Sequence, residues 1–166
     1  MTKNKIHELD LSVIKQNYFK KKLQLFTDYL FRQEINIKGL LLFGSVAKGK
    51  GTITDDYVSD IDLIIISEDL PDNLWERRKK TLKLTKPVIG GIQALWWTPK
   101  EIKNHVKHKF YLILDALDDG KILYDPEGLL HRLKKQLFKD LTEKGVIKTD
   151  LYWQWPIKYF GEKIEF

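Results

Sequence analysis

The chain has 166 residues, enough for one compact domain with a core of its own and no need of disulfides or a structural metal. It contains no cysteine, which excludes disulfides and thiolate metal sites, and its apolar runs, such as residues 39–43 and 61–66, are too short to cross a bilayer. A formal charge of +6 favours polyanionic partners, but the densest basic run, Arg77-Arg78-Lys79-Lys80, reads first as a solvated helix face. Residues 1–10 are polar and hold no apolar leader, so the expected location is the cytoplasm.

Leu11, Ile14 and Tyr18, then Leu23, Phe26 and Leu30, recur at helical spacing and predict a first helix that ends near Glu34. Residues 37–43 form a short apolar run stopped by Gly44, the pattern of a strand covered on both faces with a tight turn at its end. Residues 48–57 are rich in Gly, Thr and Asp without an apolar period and read as a loop, which leads into a second strand at 60–66. Pro71-Asp72 opens a helix running to about residue 86, with Leu74, Trp75 and Leu82 available to pack inward. A third strand fits residues 89–97.

Thr98-Pro99-Lys100-Glu101 combines an N-cap threonine, a proline at the first helical position and a glutamate placed to close a capping box. That helix is expected to break near Lys109 and resume through residues 110–117, with Asp119-Gly120 ending it and Ile122-Leu123-Tyr124 giving a short strand. Asp125-Pro126 opens a further helix, whose Leu130, Leu133, Leu137 and Leu141 keep one apolar face until Gly145. The tail, with Tyr152, Trp153, Trp155, Tyr159 and Phe160, is too apolar to stand in solvent, and packing on the core is favoured over packing on a partner. The expected architecture is an α/β (α+β) fold with a mixed sheet of about four or five strands backed by helices. It forms one domain over 1–166, with a core at 10–125 and an added C-terminal helix and aromatic tail at 126–166.

Chemistry concentrates in two stretches, Leu42-Phe43-Gly44-Ser45 and Ser59-Asp60-Ile61-Asp62-Leu63. Side chains alternate across a strand, so Asp60 and Asp62 share one face. Two adjacent carboxylates repel each other and call for a cation, and hard oxygen donors suit Mg²⁺ or Mn²⁺ better than zinc. A glycine at the end of a strand lets the backbone approach a ligand, and the amides that follow, with the Ser45 hydroxyl, can hold phosphates. Lys48 is placed to add positive charge.

At these residues the chain resembles the nucleotidyltransferases of the DNA polymerase β superfamily, above all the minimal nucleotidyltransferases of bacteria and archaea. The match is close over residues 37–67. The family's Gly-Ser turn, followed by Ala, a basic residue and Gly, appears here as Gly44-Ser45-Val46-Ala47-Lys48-Gly49, and its Ser-Asp-x-Asp-Leu as Ser59-Asp60-Ile61-Asp62-Leu63. The resemblance implies transfer of a nucleoside monophosphate from a triphosphate, ATP by preference, to a hydroxyl of a protein, a small molecule or an RNA end. Asp60 and Asp62 would be the catalytic and metal-binding residues, and Gly44, Ser45, Lys48 and Ser59 the nucleotide-binding ones.

Two departures stand out. The loop between the motifs is longer, with Asp55 and Asp56 in the added length, and Gln93 stands where the family places a third carboxylate that completes the metal site and acts as general base. A glutamine can ligate through its carbonyl but cannot accept the proton. Either Asp55, Asp56 or Asp115 substitutes, or the protein binds nucleotide and acts through a partner. For that second case the resemblance supplies an example, the antitoxin of a HEPN-class toxin, and a homodimer is also left open.

Other readings of the same residues are weaker. Residues 44–50 fit the opening of a phosphate-binding P-loop, but Gly51 replaces the magnesium-binding Ser or Thr and Gly51-Thr52-Ile53-Thr54 is a poor helix start. His105 and His108 lack a third metal ligand and read as exposed histidines of a lysine-rich helix. Trp96 and Trp97, with Trp153 and Trp155, offer stacking surfaces for a base, but strand alternation places one of each pair inward by default.

Overall fold

The computed structural model describes residues 9–85, 90–157, 159, 161 and 163. Its elements are α1 (Asn17–Leu30), β1 (Ile37–Phe43), α2 (Gly44–Ala47), β2 (Ile61–Ser67), α3 (Leu74–Thr85), β3 (Ile92–Trp97), α4 (Pro99–Lys107), α5 (Tyr111–Asp119), β4 (Lys121–Tyr124), α6 (Leu129–Glu143), β5 (Ile147–Lys148) and β6 (Trp153–Gln154). A four-stranded sheet has the order β3-β2-β1-β4, antiparallel except for the parallel pair β2 and β3 that α3 connects. The expected start of the third strand at Ile89, the expected end at residue 86 of the helix opened by Pro71-Asp72, Phe160 and the polar residues 1–8 lie outside the described residues.

The continuous apolar runs of β1 and β2 are buried on both sides, because helices cover both faces. On one face Phe19, Leu23, Phe26 and Leu30 of α1 pack against Leu40, Leu42, Leu63 and Ile65. On the other, Leu41, Ile64 and Ile66 meet α4, α5 and the leucine stripe of α6. The capping box at Thr98 forms as its residues require, with Thr98 Oγ1 accepting from the Glu101 N–H and the Glu101 carboxylate accepting from the Thr98 N–H.

Four expectations need correction. The first helix starts at Asn17 rather than Leu11, because the Asp10 carboxylate accepts the Ser12 N–H at 3.0 Å and sets a turn there. Leu11 and Ile14 still reach the core from irregular backbone, and it is Phe19 rather than Tyr18 that faces inward. Leu74, Trp75 and Leu82 of α3 are 76%, 81% and 52% exposed, and only Leu84 is buried. The sheet face they would have covered is already occupied by α1, so α3 lies along the edge strand β3. Arg77 holds it there, donating to Pro71 O at 2.8 Å and pairing with Glu101 at 2.7 Å.

His105 is the third case. It is half-buried between Trp97 and Phe110, at centroid distances of 4.5 and 5.1 Å, because a left-handed turn at Lys109 (φ 50°) folds Phe110 back against α4. Burial pushes its imidazole below the ordinary value against the pull of Glu101. The tail is the fourth, and it divides: Trp153 packs half-buried beside Phe138 and Trp155 half-buried on the same core cluster, whereas Tyr152 and Tyr159 face solvent.

Candidate functional site

Antiparallel pairing brings the end of β1 beside the start of β2, with Phe43 opposite Asp62, and parallel pairing sets Gln93 opposite Asp62 on the other side. The two sequence motifs therefore meet at one end of the sheet. Gly44 turns the chain there with φ +74°, and an ideal Cβ on it would lie 2.3 Å from Asp62 Oδ2. The Asp62 carboxylate occupies the space that a side chain at position 44 would need.

Asp62 is partly buried, and that burial, with the charge of Asp60 adding to it, raises its carboxyl above the usual range. Gln93 donates its Nε2 to Asp60 Oδ2 at 2.7 Å, so the residue in place of a third acid steadies the first one. On the outer side, Gly91 (φ +88°) leaves room for two groups: a Cβ there would lie 2.9 Å from Lys22 Nζ and 3.5 Å from Asp60 Oδ1. Lys22 and Asp60 thus share the space beside Gly91. Sequence reading missed Lys22, because nothing in the polar face of α1 marks one lysine among Lys20, Lys21 and Lys22.

The longer loop is a small hairpin. Ile53 bridges Val58, the Thr54 N–H donates to Tyr57 O at 2.8 Å, and Asp55 and Asp56 stand exposed at the tip. Ser59 is buried at its base, its hydroxyl accepting the Thr52 N–H at 2.9 Å and its own N–H donating to Thr52 O. This geometry also removes the P-loop reading, since residues 51–54 form an arm of the hairpin rather than the first turn of a helix. Asp115 accepts the Trp153 Nε1–H at 2.9 Å under the tail. Asp55 and Asp56 therefore stand at the hairpin tip and Asp115 is engaged by Trp153, and among the described residues no three His, Cys, Asp or Glu side chains gather as a metal cluster.

Ser45 lies half-buried in the single turn of α2, next to Gly44. Lys48 is directed to the end of α5, where its Nζ lies 2.9 Å from Asp119 Oδ2. Asp119 also pairs with Lys148 at 2.9 Å, and Lys148 bridges to Asp118. Hydrogen bonds from Lys148 and Lys48 hold the Asp119 carboxyl below its ordinary value. Lys15, Lys48, Lys50 and Lys121 line a cavity of about 580 Å³ at this corner.

The donor set suits one hard cation. Two carboxylates sit side by side at the strand start, one with its charge already disfavoured by the other, and the Gln93 amide oxygen could add a neutral donor. A general base in the family's third position is missing, since an amide does not take a proton at ordinary pH.

The family model of the nucleotidyltransferase domain matches residues 24–144, which include both motifs and the strand with Gln93. No curated protein matches the chain in sequence. Among solved structures, a candidate nucleotidyltransferase from Sulfolobus solfataricus is similar at 18% identity and a TM-score of 0.42, covering 64% of this chain and 80% of its own. A toxin–antitoxin structure with AMP-PNP is similar at 15% identity and a TM-score of 0.41, over 74% of this chain and 86% of the other. So is a structure of the tri-AMPylated Shewanella oneidensis HEPN toxin in complex with MNT antitoxin, at 15% identity and a TM-score of 0.39, over 74% of this chain and 82% of the other.

Proposed function

Because this chain belongs to the nucleotidyltransferase domain family, we propose that it transfers a nucleoside monophosphate from a triphosphate, ATP in the first instance, to an acceptor hydroxyl. The observation that carries this reading is the Asp60–Asp62 pair at the junction of β1 and β2, with Asp62 seated against Gly44. Asp60 and Asp62 would hold Mg²⁺ or Mn²⁺, which supplies charge neutralisation to the triphosphate and its leaving group.

The chain's own residues have the following parts. Gly44 leaves room for the Asp62 carboxylate itself, and the Gly44-Ser45 turn offers its amides and a hydroxyl to phosphate oxygens. Lys22 stands ready from the Asp60 side, and Lys48 reaches phosphate on leaving Asp119. Ser59 serves the nucleotide through the backbone, by fixing the hairpin that sets Asp60 at the head of β2. Gln93 orients the Asp60 carboxylate. Residues 10–125 make up the catalytic unit in this proposal, and α6 with the aromatic tail, residues 126–166, buttresses it in the cytoplasm.

The test is incubation with Mg²⁺, labelled ATP and cell extract as the source of acceptor. Label transfer is expected, and Asp60→Ala and Asp62→Ala should each lower it by at least about 100-fold, the loss typical of a lost electrostatic anchor. Equal transfer by wild type and variants would overturn the assignment.

Gln93 favours a second reading, a nucleotide-binding module that acts by occupying a partner, of which a HEPN-class toxin is the example to try first. The two readings part on one variant. If wild type binds ATP by calorimetry without transferring label and Gln93→Glu transfers it, the binding reading holds; if wild type transfers label, it fails.

A further inference from the structure

On the face of the sheet that carries Ile64 and Ile66, α4 and α6 pack together, and a cleft of about 450 Å³ opens between them. It takes no part in the site described above. Its polar lining is Lys103, Lys107, Lys109, Arg132, Gln136 and Asp140, four cations against one acid. Lys103 and Lys107 lie one helical turn apart on α4, as do Arg132 and Gln136 on α6, so each helix turns a pair of donors to the cleft.

Lys109 is the unusual member. It follows the C-cap of α4 with φ +50°, the one non-glycine residue with positive φ among those described. Glycine takes that position without a Cβ penalty, so a lysine there carries strain that a plain helix stop would avoid. Its side chain is only 6% exposed, although an ammonium has three hydrogen-bond donors to satisfy. The acceptors it reaches are Lys107 O and Asp140 Oδ2, both at 3.4 Å. These are long for N–H···O bonds, which cluster at about 2.7–3.2 Å. A buried charge left short of good acceptors is costly unless a further anion arrives.

We propose that this cleft is an anion site for a ligand with adjacent phosphate groups, with Lys109 as the buried contact and Lys103, Lys107 and Arg132 as the rim. Several cations around one opening match closely spaced phosphates better than a lone carboxylate, and lysine binds phosphate as a point charge without demanding a fixed orientation. Among the described residues no aromatic ring lines the cleft, so recognition runs through phosphates and not through stacked bases. A single-stranded RNA backbone and a free polyphosphate chain both carry that chemistry. The proposal does not depend on the transfer reaction.

Filter binding of a short labelled single-stranded RNA, and its competition by inorganic tripolyphosphate, should be measured at low salt in EDTA, which keeps the carboxylate end out of play. The double variant K103E/R132E should lose roughly 10-fold or more in affinity, as expected when phosphate contacts are removed. The control K79E/K80E on α3, with the same change in net charge, should stay within about 2-fold, because neither lysine lines the cleft and exposed charges outside it are screened by salt. Lys109→Met should weaken binding without lowering the melting temperature, an outcome that a purely structural lysine would not give. RNA binding with this variant pattern identifies a polynucleotide site, and tripolyphosphate binding alone with the same pattern, read by calorimetry, identifies a polyphosphate site. Failure of wild type to bind either anion, or equal losses in K103E/R132E and K79E/K80E, would overturn the proposal.

Discussion

At Gly44 two demands fall on one residue, a left-handed backbone at the end of β1 and a missing side chain, the second of them set by Asp62 across the sheet. The neighbouring acids work against the fold. Asp62 keeps its carboxyl above the usual range when folded, so the folded state holds that proton more tightly than the unfolded one. The penalty is therefore present in full above the raised value and is relieved as the pH falls through it towards the ordinary 3.8. Asp62→Asn should raise the melting temperature at neutral pH by something on the order of 2 °C, and the gap should close in acid; calorimetry at the two pH values checks both parts. A lower melting temperature at neutral pH would contradict the assigned cause. The acids and Gly44 could be read from the sequence because the motif is local. Lys22 could not, since its place beside Asp60 exists only once α1 is laid across the sheet.

Elements show the same division between what is local and what packing decides. The capping box of α4 and the two-sided burial of β1 follow from residue types a few positions apart, and the structure has them as expected. The apolar residues of α3 were equally visible, but they could not say which surface the helix would meet. With α1 already on the sheet face, α3 is left at the edge, with Leu84 inward and Leu82 at 52% exposure. Leu84→Ala should accordingly cost about 2–4 kcal/mol, and Leu82→Gln less than about 0.5 kcal/mol, in urea titrations. A reversed order would mean that the helix packs by the other face in solution.

Across the whole molecule, the C-terminal hairpin ties the helical face to the corner that holds Lys48. Trp153 packs near Phe138 and donates to Asp115, and Lys148 reaches Asp118 and Asp119, the latter shared with Lys48. The inward tryptophans were foreseeable from composition, but this ionic junction was not, because it joins residues about a hundred positions apart. Its members are partly exposed, so Lys148→Ala should cost less than about 1 kcal/mol. Trp153→Ala, which removes a half-buried ring, should cost about 2 kcal/mol in the same denaturant titration. Comparable losses from the two would show that the ion pairs carry more of the attachment than their exposure allows.

The five tryptophans also make the molecule an optical instrument. Trp75 stands in solvent, Trp96 is buried on the α1 side of the sheet, Trp97 lies against an imidazole, and Trp153 and Trp155 are confined to the tail. Emission from chains keeping only Trp96 or only Trp155 would follow the opening of the core and the lifting of the tail as two separate signals. A label-free spectrum could then time the departure of the hairpin against the loss of the sheet.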